Sequence, residues 1–343
     1  MFMFSRSICC AKLNQLSTFE TLFSNLKLRP CATPLIGPLQ TCEYRIYSRE
    51  KAEYANVNWD ELGFALTKTD YMYVMNFTEE EQKFFNGTLT RFGNIEMCPS
   101  SGILNYGQGL FEGLKAYRKE DEGILLFRPQ ENALRMKMGA DRMCMPSPTV
   151  DQFMDAVKKT VLANKRWGDL NLMVEDNVHR AIPGGTGGIK AVTNYSPVYK
   201  PLTEAKAKGF SDLLFLDALT GSNIEEGSAC NIFILKGNVI STPTTHGTIL
   251  PGITRKSIME IASDFGYQVE ERAIPIKEVF DAEEVFCTGT AMVVKSVASI
   301  TYQGKRIGYK LGAETLAQKL HATLTGIQTG LIEDKLGWTM LID

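Results

Sequence analysis

No apolar run in this chain approaches the roughly 20 residues needed to cross a bilayer; the longest are strand-sized pieces such as Leu213 to Leu216. A membrane protein is therefore not expected. Charge of one sign is missing as well. Lys and Arg number 37 against 39 Asp and Glu, for a formal net charge of -2, so there is neither a basic surplus for nucleic acid nor an acidic tail. The eight cysteines include no C-x-x-C pair, which removes the usual signatures of a zinc site or a dithiol switch. Reduced, mostly structural thiols and no metal are the expectation. Internal repeats and low-complexity tracts are also lacking. What remains is a chain of 343 residues, 44% hydrophobic and 22% charged, with room for two sizeable cores.

The first 49 residues stand apart. They carry Arg6, Lys12, Lys27, Arg29, Arg45 and Arg49 against only Glu20 and Glu43, and they set Leu13, Leu16, Phe19, Leu22, Phe23 and Leu26 at helical spacing. A basic, acid-poor amphipathic start of this kind is the profile of a transit peptide, here residues 1–47. The stretch "RIYS", Arg45 to Ser48, resembles the Arg-x-Tyr-Ser site at which mitochondrial presequences are cut. A mature chain beginning near Ser48 in the mitochondrion is expected, with the chloroplast as the alternative destination.

Beyond this leader, residues 53–168 read as an α+β domain of short strands followed by two helices. Pro129 opens the first helix, and Thr149 with Gln152 forms a capping box ahead of Val150, Phe153, Val157 and Val161 on one face of the second. Residues 169–178 read as a linker. From 179 to 343 strands and helices alternate: "SDLLFLDA", "CNIFILKGNVIST" turning at Gly237-Asn238, and "EEVFCTGTAMVV" are strands. A helix in "GITRKSIMEIASDFGY" places Ile258, Ile261, Ala262 and Phe265 on one stripe before Gly266, and a last helix aligns Leu316, Leu320, Leu324 and Ile327.

The stretch with the most to explain is "AIPGGTGGIKAVTNY", residues 181–195. Glycines leading to Lys190 suggest a phosphate-binding loop, but Ile189 precedes the lysine and Ala191 follows it, so the P-loop spelling fails. A surface turn ending in a solvated lysine is the second reading. In the third, the apolar neighbours Ile189, Ala191 and Val192 hold Lys190 in a protected site, where a desolvated amine can form a Schiff base with an aldehyde cofactor. Pyridoxal phosphate would then need a phosphate site, a partner for its ring nitrogen and a donor to its phenolate oxygen. Several stretches can supply these. "ILPGITRKS" runs into a helix whose first N–H groups, at Ile253 and Thr254, are free to meet an anion. In "CTGTAMV", Thr288, Gly289 and Thr290 put small hydroxyl residues at a strand end. In "NIEEGSACNIF", one of the tandem acids Glu225 and Glu226 could hold a pyridinium proton. Each stretch also reads as an ordinary turn.

Together these stretches resemble, in order and spacing, the fold type IV pyridoxal phosphate enzymes, and most closely the plant branched-chain amino acid aminotransferases. The resemblance runs from about Tyr54 to the C-terminus through "GILNYGQGLFEGLKAYR", "LFRPQENALRMKMGADRMCM", "HRAIPGGTGGIKAVTNYSP", "NIEEGSACNIF", "GTILPGITRKS" and "VFCTGTA". It implies a two-domain α+β/α/β architecture of fold type IV with a shortened N-terminal domain and a C-terminal cofactor-binding domain. It also implies roles. Lys190 carries pyridoxal 5'-phosphate as a Schiff base, Tyr195 donates to the phenolate oxygen, and Glu226 pairs with the ring nitrogen. Arg135, Ile253, Thr254 and Thr290 hold the phosphate, while Tyr106, Phe111 and Ala291 wall the substrate pocket. The expected reaction moves an amino group between leucine, isoleucine or valine and 2-oxoglutarate by ping-pong kinetics, in a homodimer whose partners are amino acids and 2-oxo acids.

The chain departs from the family after "TVLANKRW", which ends at Trp167. Gly168 and Asp169 join two ends between which the family has a "VPPPGKG" turn and further strands, roughly fifty residues in all. The missing strand supplies a tyrosine and an arginine that the family uses at the substrate carboxylates. An inactive or partly folded splice or gene-model variant is therefore one alternative. Another fold type IV enzyme, a D-amino acid aminotransferase or an aminodeoxychorismate lyase, is the other.

Overall fold

The computed structural model describes residues 2–4, 69–85, 87–119, 123–164 and 181–342. The transit-peptide stretch beyond Phe4, the "RIYS" site and the Trp167 junction lie outside the described residues.

The first unit holds small antiparallel sheets. β1 (Phe2–Phe4) pairs with β6 (Leu110–Glu112), β2 (Tyr71–Val74) with β5 (Thr88–Arg91), and β3 (Phe77–Thr78) with β4 (Lys83–Phe84). A short helix α1 (Gly102–Tyr106) precedes β6. β7 (Ala116–Arg118) and β8 (Ile124–Phe127) form a hairpin, followed by α2 (Pro129–Arg142) and α3 (Val150–Ala163). Both helices start as the sequence indicates. Pro129 is at the first turn of α2, and at α3 the Thr149 hydroxyl accepts from the Gln152 N–H at 3.2 Å while the Gln152 amide oxygen accepts from the Thr149 N–H at 3.0 Å, two otherwise unpaired donors satisfied. Alternation along β8 divides its side chains. Ile124 and Leu126 pack with Ala133, Met136, Phe153 and Val157, whereas Phe127 joins the core of the second unit.

The second unit contains α4 (Ser196–Ala207), β9 (Leu214–Leu216), β10 (Asn223–Gly227), β11 (Asn231–Lys236), β12 (Val239–Thr242), α5 (Ile253–Asp264), β13 (Gln268–Glu271), β14 (Ile274–Pro275), α6 (Ile276–Val279), β15 (Glu284–Gly289) and β16 (Val293–Ser296). An eight-stranded sheet runs β13-β12-β11-β10-β14, with β15 beside β11, β16 beside β15 and β9 beside β10. A hairpin of β17 (Ser299–Tyr302) and β18 (Lys305–Gly308) follows, then α7 (Leu316–Thr329) and β19 (Thr339–Ile342).

β11 shows why the sheet is buried on both faces. Phe233 and Leu235 point to α5 and α7, where the Phe233 and Phe286 rings stack at 5.1 Å. Ile232 and Ile234 point the other way, onto Ile224, Ile274 and Val285. α5 ends at Asp264 with Phe265 as cap and Gly266 at φ 82°, a left-handed position suited to glycine. The last strand returns to the first unit. β19 pairs antiparallel with β8, and Trp338 beside it meets Phe127 edge-on at 5.8 Å. The two units are thus joined by a shared sheet and a shared core.

Candidate active site

Lys190 is set by the strand it lies against. Leu110 and Ala191 form a bridge, the Phe111 N–H donates to the Lys190 carbonyl at 3.2 Å, and the Val192 N–H donates to Gly109 at 3.0 Å. Asn194, 4% exposed, ties off the preceding loop. Its amide donates to the carbonyls of Thr186 and Ile189, both at 2.8 Å, and accepts from the Thr186 hydroxyl at 2.7 Å. Gly187 and Gly188 allow close contact, whereas Gly184 takes a left-handed φ of 77° with open space around it. A Cβ on Gly187 would collide with the Thr248 carbonyl, and the Gly188 N–H donates to Gly247 at 2.8 Å. The N–H groups of Gly185 and Ile189 donate to the carbonyls of Ile182 and Thr186 within the loop.

The Lys190 side chain is half-buried, with its Nζ 3.3 Å from the Tyr195 hydroxyl. The ammonium stands 4.7 Å from the centre of the Phe111 ring, which meets Tyr195 edge-on at 4.9 Å. These two rings fix where the amine can point. Tyr195 reaches it because a 3-10 turn over Val192–Asn194 folds the five-residue interval back.

Lys190 and Tyr195 line a small cavity with Arg135, Glu226 and Asn231. Ile253, Thr254, Thr288 and Thr290 line it as well. Glu226 is 3% exposed. Its Oε1 accepts from the Leu250 N–H at 2.9 Å and its Oε2 from the Asn231 amide at 3.3 Å. Glu225 faces elsewhere and accepts from the Thr248 hydroxyl at 2.6 Å. α5 begins here with Gly252 as its N-cap and no side-chain cap, so its first N–H groups open toward the cavity. A Cβ on Gly252 would collide with Asn231. Thr288 is fully buried, and its hydroxyl has no hydrogen-bond partner.

Seven residues singled out from the sequence thus meet at one place: Lys190, Arg135, Tyr195, Glu226, Ile253, Thr254 and Thr290. Phe111 joins them through its ring contacts. Ala291 follows Thr290 in the same turn, with its carbonyl accepting from Lys115 Nζ at 2.7 Å. Tyr106 ends α1, is 79% exposed and, like Phe111 and Ala291, is not among the residues that line this cavity. Its five-residue helix buries only Gly102, and aromatic character alone gives no direction. Sequence reading missed Glu112, which grips Arg135, as well as Asn194 and Asn231. Asn194 closes the glycine-rich loop, and in "VTNYS" nothing local sets it apart from an ordinary turn residue.

The family Amino-transferase class IV matches residues 165–300, a span that includes Lys190, Tyr195, Glu226, Ile253, Thr254 and Thr290. Branched-chain-amino-acid aminotransferase 6 of Arabidopsis thaliana is 52% identical over 90% of this chain and 98% of its own length. A methionine aminotransferase of the same plant is 50% identical over 85% of this chain and 95% of its own. The chain belongs to the branched-chain-amino-acid aminotransferase family. Among solved structures, the T.th. branched-chain amino acid aminotransferase complexed with N-(5'-phosphopyridoxyl)-L-glutamate superposes with a TM-score of 0.68 at 25% identity, over 80% of this chain and 99% of that one. Other relatives carry mitochondrial or chloroplastic names. The alignment with the first relative spans 356 positions but takes in only 90% of this 343-residue chain, so roughly fifty positions of that relative have no counterpart here.

Proposed function

We propose that the chain moves amino groups between leucine, isoleucine or valine and 2-oxoglutarate, using pyridoxal 5'-phosphate held on Lys190. The observation that carries this is the approach of Lys190 Nζ to Tyr195 and to the cavity shared with Glu226 and Arg135. The residues fit the cofactor: the unpartnered Thr288 hydroxyl and the uncapped start of α5 are donors in want of an anion.

When bound, the cofactor supplies an electron sink for the substrate's α-carbon. Lys190 would hold its aldehyde carbon and, once displaced by substrate, act as the base for the α-proton. Tyr195 would donate to the phenolate oxygen. Glu226, already steadied by Leu250 and Asn231, would keep the ring nitrogen protonated. Arg135, the N–H groups of Ile253 and Thr254, and Thr290 would take the phosphate. Phe111 and Ala291 would border the amino acid's side chain. A pocket of this sort separates side chains differing by one methylene by only about 1–3 kcal/mol, so methionine is expected among the substrates.

Organelle import is part of the proposal, with the mitochondrion favoured by "RIYS". So are the boundaries 53–168 and 179–343 with a 169–178 linker, and a homodimer. A second reading rests on the roughly fifty positions without counterpart: the cofactor binds but amino acids do not react. Visible absorbance of the full chain with pyridoxal phosphate separates the two readings. A band lost on adding leucine, and absent in Lys190→Ala, supports the aminotransferase. A Lys190-dependent band that neither leucine nor methionine alters supports the second reading. No Lys190-dependent band sinks both.

A further inference from the structure

We propose that Glu112 is a positioning residue for the cofactor's phosphate, acting through Arg135; this rests on the reading of Arg135 as a phosphate ligand. Arg135 lies on the inner face of α2 and is 8% exposed. Its Nε donates to Glu112 Oε1 at 2.9 Å and its Nη2 to Oε2 at 2.7 Å, the side-on fork that carboxylate and guanidinium share. Nη1 donates to the Pro251 carbonyl at 3.2 Å. Of the five N–H groups of an arginine, these contacts leave one on each terminal nitrogen. Pro251 belongs to the turn that leads into α5, so the guanidinium is anchored to the same helix start that offers Ile253 and Thr254.

Glu112 is itself held. It is 2% exposed and accepts from the Asn132 amide at 2.7 Å, and that amide also donates to the Gly113 carbonyl at 3.0 Å. Glu112 does not line the cavity. It neighbours Phe111 on β6, and successive residues of a strand point to opposite sides. One residue therefore steadies the lysine end of the site and the next steadies the phosphate end. A long arginine side chain has many rotamers to lose on binding; a carboxylate locking its Nε edge removes that freedom in advance and fixes which N–H groups remain. The sign of the effect is diagnostic. A carboxylate near a phosphate repels it, so if Glu112 were only a counter-ion, neutralising it would tighten binding.

The test is equilibrium binding of pyridoxal phosphate and of phosphate-free pyridoxal to the full-length apo-protein, its Glu112→Gln and Arg135→Gln variants, and the double variant. Glu112→Gln is expected to lower the preference for pyridoxal phosphate over pyridoxal by about tenfold. Arg135→Gln should lower it at least as much, and the double variant no further than Arg135→Gln, the non-additivity expected when one group acts through the other. Equal weakening of both ligands, tighter pyridoxal phosphate binding, or additive losses would overturn the proposal. An unchanged preference in Arg135→Gln would remove the phosphate reading of Arg135, and the proposal with it. Because Glu112→Gln leaves a buried arginine without its counter-charge, Glu112→Asp is the companion. It keeps the charge but is too short for both contacts, and the same loss of preference is expected.

Discussion

The two units of this chain are built unequally. Residues 181–342 carry an eight-stranded sheet covered on both faces, with Phe233 and Phe286 at its centre. Residues 69–164 carry paired and triple strands, and one of their sheets needs β19 from the far end of the chain. Under the proposed placement of the missing family segment after Trp167, the roughly fifty positions of the first relative without counterpart here adjoin this unit. The side of the site that would hold the cofactor is therefore assembled from a continuous framework, while the side that would face the substrate rests on small pieces. Of the groups at the cavity, Lys190, Tyr195, Glu226, α5 and Thr290 all come from the second unit. Arg135, Phe111 and Glu112 are the first unit's contribution, and the Phe127–Trp338 contact with the β8–β19 pairing keeps that unit in place.

The sharpest way to break this contrast is to hollow each core in turn. Phe286 and Phe153 are both fully enclosed, at 0% and 2% exposure, and truncation of either to alanine should cost about 3–5 kcal/mol. Because Phe127 belongs to the core of the second unit, both variants are expected to lower one common unfolding midpoint, read by denaturant melts followed through tryptophan fluorescence and far-UV circular dichroism. If Phe153→Ala instead creates an early transition that Phe286→Ala lacks, the units unfold separately and the β8–β19 seam is weaker than its pairing suggests.

Much of the second unit was legible because its signals are local. Gly266 after an apolar stripe and Gly237-Asn238 between two apolar runs each act through the backbone of a few residues. The site was legible through the family's motif order, which carries information that no single glycine-rich loop does. Contacts distant in sequence were not legible. Nothing in "WTMLI" says that it will pair with "ILLF" more than 200 residues earlier. The grip of Glu112 on Arg135 spans 23 positions, and a glutamate in a strand between loops usually reads as solvated. Tyr106 shows a further limit: its aromatic type does not indicate that the short helix α1 leaves it 79% exposed.

A change of pH tests the second unit's interior electrostatics. Burial pushes the Asp212 carboxyl up to about 8 from an ordinary 3.8, against the opposing hydrogen bonds from Ser228 and Cys230. The folded chain then keeps a proton that the unfolded chain gives up above pH 3.8. This group's contribution is fully present below about pH 4 and is lost as pH rises toward 8, by up to about 1.4 kcal/mol per pH unit. Asp212→Asn should flatten that decline, so the wild type should lose more stability than the variant between pH 5 and 8 in denaturant melts. Equal losses in the two proteins would mean that the carboxyl is solvated.

The smallest change probes the first unit alone. Thr149→Ala removes the hydroxyl that accepts from the Gln152 N–H and breaks one half of the capping box, while the backbone N–H at 149 can still donate to the Gln152 side chain. A cap of this kind is worth about 1 kcal/mol. If the units melt together, that loss lowers the global midpoint and leaves the denaturant slope unchanged. If the first unit opens on its own, hydrogen exchange in α3 should quicken by about fivefold while the amides of β11 and β15 keep their protection. The cap then separates one cooperative body from two joined ones.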